Sequence, residues 1–189
     1  MPTVRNTRPI TTAALAGVIA AIATACSSSG GSSTASTSSA ATHQATASAS
    51  PSTPSPAAEA LAAYAAMWKD VTEASNTSDY QAAYLSDHLS GQPLATITQN
   101  LAAEKKQGVV AHGAPVLHPV VTSVSAASVT LSDCTDDRAW LQVFASTGKP
   151  VNDIPGGFRA TTATVTDQGG SWKVTRLYSG ADGTCHLVQ

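Results

Sequence analysis

Basic residues are few in this chain: 10 Lys and Arg stand against 12 Asp and Glu in 189 residues, and the only adjacent basic pair is Lys105-Lys106. Affinity for nucleic acid comes largely from clustered cations that neutralise phosphates, so a nucleic-acid partner is disfavoured and the pair reads as a solvated helix end. The phosphate-cradling Gly-x-x-x-x-Gly-Lys, the dinucleotide fingerprint and the Gly-x-Ser-x-Gly nucleophile turn are all missing. Common nucleotide and hydrolase chemistry is disfavoured with them. No aromatic residue precedes Tyr64, and no branched aliphatic side chain lies between Ile22 and Leu61. That stretch cannot bury enough apolar surface to offset roughly 1–2 kcal/mol of backbone entropy per ordered residue. A Ser/Thr/Ala-rich tether is therefore expected over residues 26–57, with a single folded domain over 58–189.

Long hydrophobic runs are also missing. The longest uncharged apolar stretch, Ile10 to Ala25, has about 16 residues where a spanning helix needs about 20. Arg5 and Arg8 precede it and Ala23-Thr24-Ala25-Cys26 closes it, the three-part layout of a cleavable export signal over residues 1–25. The cysteine placement resembles the lipobox of bacterial lipoproteins, although Ala23 stands where that motif has Leu. The resemblance implies a Cys26 that receives diacylglycerol and becomes the mature N-terminus, holding the chain on the extracytoplasmic face of the membrane. Losing Arg5 and Arg8 leaves 8 basic against 12 acidic residues, a formal charge of −4.

Three cysteines are present, and with Cys26 assigned to lipid only Cys134 and Cys185 remain. An exported location permits a disulfide between them. Metal binding competes weakly, because neither cysteine has partners at the short spacings of a structural zinc site apart from the adjacent His186. No metal and no cofactor are expected.

Apolar periodicity predicts a helix over Glu59–Ser75 that turns Leu61, Tyr64, Ala65, Trp68, Val71 and Thr72 inward. A short second helix is predicted after Ser78-Asp79, burying Tyr80, Ala83, Tyr84 and Leu85, and a third from near Pro93 to a stop at Gly108. The period then drops to two, with strands over 109–112, 116–124, 128–133, 140–145, 158–167 and 171–178. Gln168-Gly169-Gly170 is the clearest hairpin turn. Helices followed by a run of strands point to an α+β layer of antiparallel strands rather than to alternating βαβ units.

Tyr64 to Lys69, Gly113-Ala114-Pro115-Val116-Leu117, the run from Val129 to Cys134 with Asp136-Asp137 and Trp140, Pro155-Gly156-Gly157 and Gly170 to Thr175 resemble secreted lipoproteins of high-GC Gram-positive bacteria. The resemblance covers about residues 58–186 and extends to the nuclear transport factor 2-like superfamily. It implies three helices wrapped on a strongly curved antiparallel sheet, a cone with an internal cavity. It implies no particular chemistry, because such cones host isomerases, dehydratases and non-catalytic binding modules alike. The Asp and Tyr of its ketosteroid-isomerase branch match no motif here, and no catalytic residue is carried over.

Among chemistry-bearing residues, strand parity sets His118 on the face of Val116, Val120 and Val124, which predicts that it points into the cone. Arg159 and Arg176, in the last two strands, are the other candidate cavity-facing polar groups, able to hold an anion or to pair on the surface. Asp133, Asp136, Asp137 and Arg138 read as a polar turn with Asp–Arg pairing, since the oxygen spacing of an EF-hand is missing. Two functions remain: a non-catalytic envelope module binding a protein, a glycan or a small apolar ligand, and a small cavity enzyme of isomerase or dehydratase type.

Overall fold

The computed structural model describes residues 54–154 and 156–187; the expected export signal, Cys26 and nearly all of the expected tether lie outside the described residues. Pro56–Ser75 forms α1, with the Ser55 hydroxyl accepting from the Ala58 N–H at its start and Pro56 in the first turn, where its missing N–H costs nothing. The helix thus starts three residues before its predicted start at Glu59. Leu85–His88 forms α2 and Gly91–Gln107 forms α3, which ends on Gly108 in the left-handed region at φ 69°. Six strands follow among the described residues: β1 Val109–His112, β2 Val120–Val124, β3 Ser128–Asp136, β4 Leu141–Phe144, β5 Phe158–Asp167 and β6 Trp172–Ser179.

All strand pairs are antiparallel, so the α+β class expected from the order of elements is the one observed. The strands divide into a four-stranded sheet, β2-β3-β5-β6, and a small β1-β4 pair. α1 supplies most of the helical core: Tyr64, Met67, Val71 and Ala74 pack with Leu85, Leu89 and Leu101 against Val129, Leu131, Ala163, Val165 and Val174. Each fully buried Leu, Val or Met stabilises this layer by about 1.5–3 kcal/mol.

Several expectations are corrected. The buried stripe of α1 runs through Ala60, Ala63, Tyr64, Met67, Trp68, Val71 and Ala74, leaving Ala65 exposed and Leu61 half-buried. The segment after Asp79 is a series of turns with Tyr80 and Ala83 exposed, and helix returns only at Leu85. Strand β2 starts at Val120, because Pro119 lacks an N–H for the ladder; Val116 makes only an isolated bridge with Asp136. β3 extends three residues beyond Asp133, paired with β5 throughout.

Cys134 and Cys185 are joined, with Cα atoms 5.8 Å apart. Cys134 lies opposite Ala160 in the β3–β5 ladder. The tail after β6 returns along the start of β5, where Gly180 N–H donates to Ala160 O, Gly183 N–H to Phe158 O, and the Thr184 hydroxyl accepts from Ala160 N–H. The disulfide therefore fixes a segment already laid against the sheet. Among the described residues no helix is long and apolar enough to cross a membrane.

Candidate ligand cavity

Helices and sheet do not close on each other completely. A cleft of about 990 Å³ remains between α1, α3, the β1-β4 pair and the first half of β5. Trp68 and Val71 of α1, Ile97 and Leu101 of α3, Trp140 and Leu177 give it an apolar wall. The mouth is rimmed by Leu141 and Ile154, 42% and 73% exposed. Trp68 and Trp140 meet edge to face, their ring centres 5.8 Å apart at 89°. The indole N–H groups of both are buried without a hydrogen-bond partner among the described residues.

One end of the cleft is charged, and strand alternation explains why. Residues 129, 131, 133 and 135 of β3 face inward, and the same alternation carries on to Asp137, 8% exposed just past the strand end. Inward parity on β5 runs from Val165 through Ala163 and Thr161 to Arg159. Arg159 Nε lies 2.7 Å from Asp137 Oδ2 and 2.8 Å from Asp182 Oδ1. Its single hydrogen is aligned with neither oxygen, so the triad is held by charge rather than by a directed hydrogen bond. Gly156 lets the loop reach this point, since a Cβ there would lie 2.7 Å from the Asp137 carbonyl carbon.

Asp137 Oδ1 is buried and has no hydrogen-bond partner among the described residues. Burial pushes the Asp137 carboxyl above the usual carboxylate range; Arg159 pulls it back and Asp182 raises it further, and the net direction is upward. Glu104 on α3 is also raised by burial, partly offset by the Gln142 amide that donates to it at 2.7 Å. Four carboxylates, those of Glu104, Asp137, Asp153 and Asp182, line the cleft against one guanidinium.

Behind Thr135 lies a second polar cluster, closed off from the cleft. Asp133 accepts from Tyr64 OH at 2.9 Å, from the Thr135 hydroxyl at 3.2 Å and from the His118 backbone N–H at 2.7 Å. Three donors satisfy a buried carboxylate. Desolvation, followed by the Asp133 charge, holds the Tyr64 hydroxyl well above its ordinary value of 10.0.

Of the three candidate cavity-facing groups, Arg159 lies in the cleft, as does Asp137 of the predicted polar turn, whereas His118 and Arg176 do not. Strand parity predicts His118 on the face of Val116, Val120 and Val124, but Val116 and Val120 are 50% and 63% exposed, so that face is the outer one, and a bulge between Val121 and Ser123 takes Val124 off it. Its Nδ1 sits 3.0 Å from Cys134 O in a shallow depression beside the disulfide. Arg176 is exposed as well. A bulge in the β5–β6 ladder pairs Thr164 with Arg176 and Val165 with Val174, so the extra residue Thr175 reverses the parity that would have carried Arg176 inward with Val174. Asp136 and Arg138 form the anticipated pair at 2.7 Å, and this hydrogen bonding holds Asp136 down at about 2. Among the described residues no group of three His, Cys, Asp or Glu could hold a metal ion.

No family profile matches this chain, and no curated protein matches it either. Solved structures similar to it include the intermembrane-space region of the chloroplast protein ARC6, 21% identical over 70% of this chain and 100% of that one, with a TM-score of 0.44. A protein of unknown function with a cystatin-like fold from Nostoc punctiforme is 13% identical over 69% and 93% of the two chains, TM-score 0.38. A protein assigned as a scytalone dehydratase from Novosphingobium aromaticivorans is 13% identical over 68% and 89%, TM-score 0.41. At these scores the likeness carries no information about the chemistry of the cleft.

Proposed function

We propose that this chain is a lipid-anchored extracytoplasmic module that captures a small, largely apolar ligand in the cleft between its helices and sheet. The observation that carries the reading is the cleft itself, about 990 Å³ with two tryptophans beside Val71, Ile97, Leu101 and Leu177 on one wall and polar groups on the rest, within the size range of small-molecule sites. The Cys134–Cys185 bridge supports an oxidising compartment, and the lipobox-like Cys26 supplies the anchor. An isomerase or dehydratase would need a carboxylate or His free to take a proton from substrate. Asp133 is occupied by three donors, Asp137 has only its Oδ2 against Arg159 and its Oδ1 buried, and no His lines the cleft among the described residues. These engagements favour capture over turnover.

The test is uptake of N-phenyl-1-naphthylamine, a neutral dye that brightens in apolar surroundings, followed through energy transfer from Trp68 and Trp140. Saturable binding is expected, weakened by about tenfold or more in Ala111→Trp, which projects an indole from β1 into the cleft. A wild-type chain that takes up no dye would overturn the reading. Replacing Cys26 by Ser should release the protein from the membrane fraction; if the wild type is already soluble, the anchor is wrong.

A further inference from the structure

The charged end of the cleft narrows the class of ligand. We infer that the cleft selects an amphiphilic organic amine, its apolar body against Trp68, Ile97 and Leu177 and its ammonium group at Asp137. The inference rests on the reading of the cleft as a capture site and adds its head-group preference.

Asp137 is buried, lines the cleft, and has one carboxylate oxygen on Arg159 and the other on nothing. A buried acceptor left unpaired destabilises a protein by more than a made hydrogen bond returns, and an ionised one by more still. A ligand ammonium in the cleft lies beside this carboxylate and offsets that penalty through its charge. Arg159 does not neutralise the site, because the single guanidinium is shared between Asp137 and Asp182. Glu104 and Asp153 add to the same side of the balance.

The unpartnered indole N–H groups of Trp68 and Trp140 argue the other way, since two donors alone would suit an anion. The charge of the lining decides between them: an anion would enter a cleft with four carboxylates to one guanidinium, whereas a cation is drawn by them. The indole rings also offer a cation their electron-rich faces. Asp137, already pushed toward its neutral form by burial, is the group a cation would return to its charged form.

The experiment displaces N-phenyl-1-naphthylamine from the full chain at neutral pH with three competitors that share one ten-carbon tail: decylamine, decanol and decanoate, each below its micelle concentration. Decylamine is expected to displace the dye at a concentration about tenfold or more below decanol, with decanoate weakest. Asp137→Asn should bring the amine and the alcohol to within about twofold of each other, read as a ratio so that any change in dye affinity cancels. Equal displacement by all three, or decanoate the strongest, overturns the head-group assignment and leaves the cleft as a capture site. Absence of dye uptake overturns the capture reading instead. If Asp137→Asn does not fold, the wild-type head-group order alone carries the test.

Discussion

Removing one oxygen from Tyr64 should reveal how much the buried Asp133 cluster contributes. Tyr64 is fully buried, and its hydroxyl is one of three donors on Asp133. In Tyr64→Phe the ring keeps its place, edge to face with Trp68 at 6.4 Å, so packing is conserved and the loss is confined to one hydrogen bond on a charged acceptor. Such a bond is worth about 1.5–3 kcal/mol. With an unfolding entropy of about 2.1 cal/mol/K per residue over roughly 130 folded residues, the melting temperature should fall by about 6–11 °C. A second readout follows from the raised Tyr64 hydroxyl. The unfolded chain releases this proton above pH 10 while the folded chain keeps it, so stability is intact below pH 10 and is lost as pH rises beyond it. Tyr64 alone should contribute a slope of up to about 1.4 kcal/mol per pH unit in that window. Urea unfolding of wild type and Tyr64→Phe at neutral pH and above pH 10 measures both. A variant that melts within about 2 °C of wild type and keeps the same alkaline slope would refute the account of Asp133 as a donor-dependent buried charge.

Replacing Cys134 and Cys185 together by Ser opens a link across a sequence separation of 51 residues and should cost about 4 kcal/mol in the chain-entropy account, read as a lower urea midpoint. Gly113→Ala should destabilise by well over the ~1 kcal/mol expected for Gly169→Ala. Both glycines have positive φ, but a Cβ at Gly113 would run into the Ala139 carbonyl oxygen while one at Gly169 meets nothing. Arg138→Ala should raise the Asp136 carboxyl from about 2 toward its ordinary 3.8, visible in a carbon-detected NMR titration; an unmoved Asp136 would mean that another group holds it down.

Local signals were the most legible part of the fold. Gly108 marks the end of α3, Gln168-Gly169-Gly170 joins β5 to β6, and the two cysteines left after Cys26 pair as Cys134–Cys185. Each depends on neighbouring backbone or on counting, which a sequence states directly. Direction was less legible. Parity shows that His118 shares a face with Val116 and Val120 but not which face meets the helices, and valines do not settle it where an outer surface is itself apolar. Arg176 shows a second obstacle, because one inserted residue at Thr175 reverses every assignment beyond it. The charged end of the cleft was readable only in half: Arg159 and Asp137 follow from alternation, but Asp182 arrives from a tail with no regular structure. The first turn of α1 shows a similar limit, since its burial depends on alanines whose low hydrophobicity hides them from periodicity.

The walls of the cleft are contributed from Trp68 near one end of the folded unit to Asp182 near the other. No contiguous fragment of the sequence can assemble it, so occupancy is linked to global unfolding and not to the opening of one subdomain. A saturating guest at a hundred times its dissociation constant would lift the resistance of the entire unit to denaturation by about 2.7 kcal/mol. Proteolytic susceptibility at sites as distant as α1 and the C-terminal tail would then decline in step as guest is added.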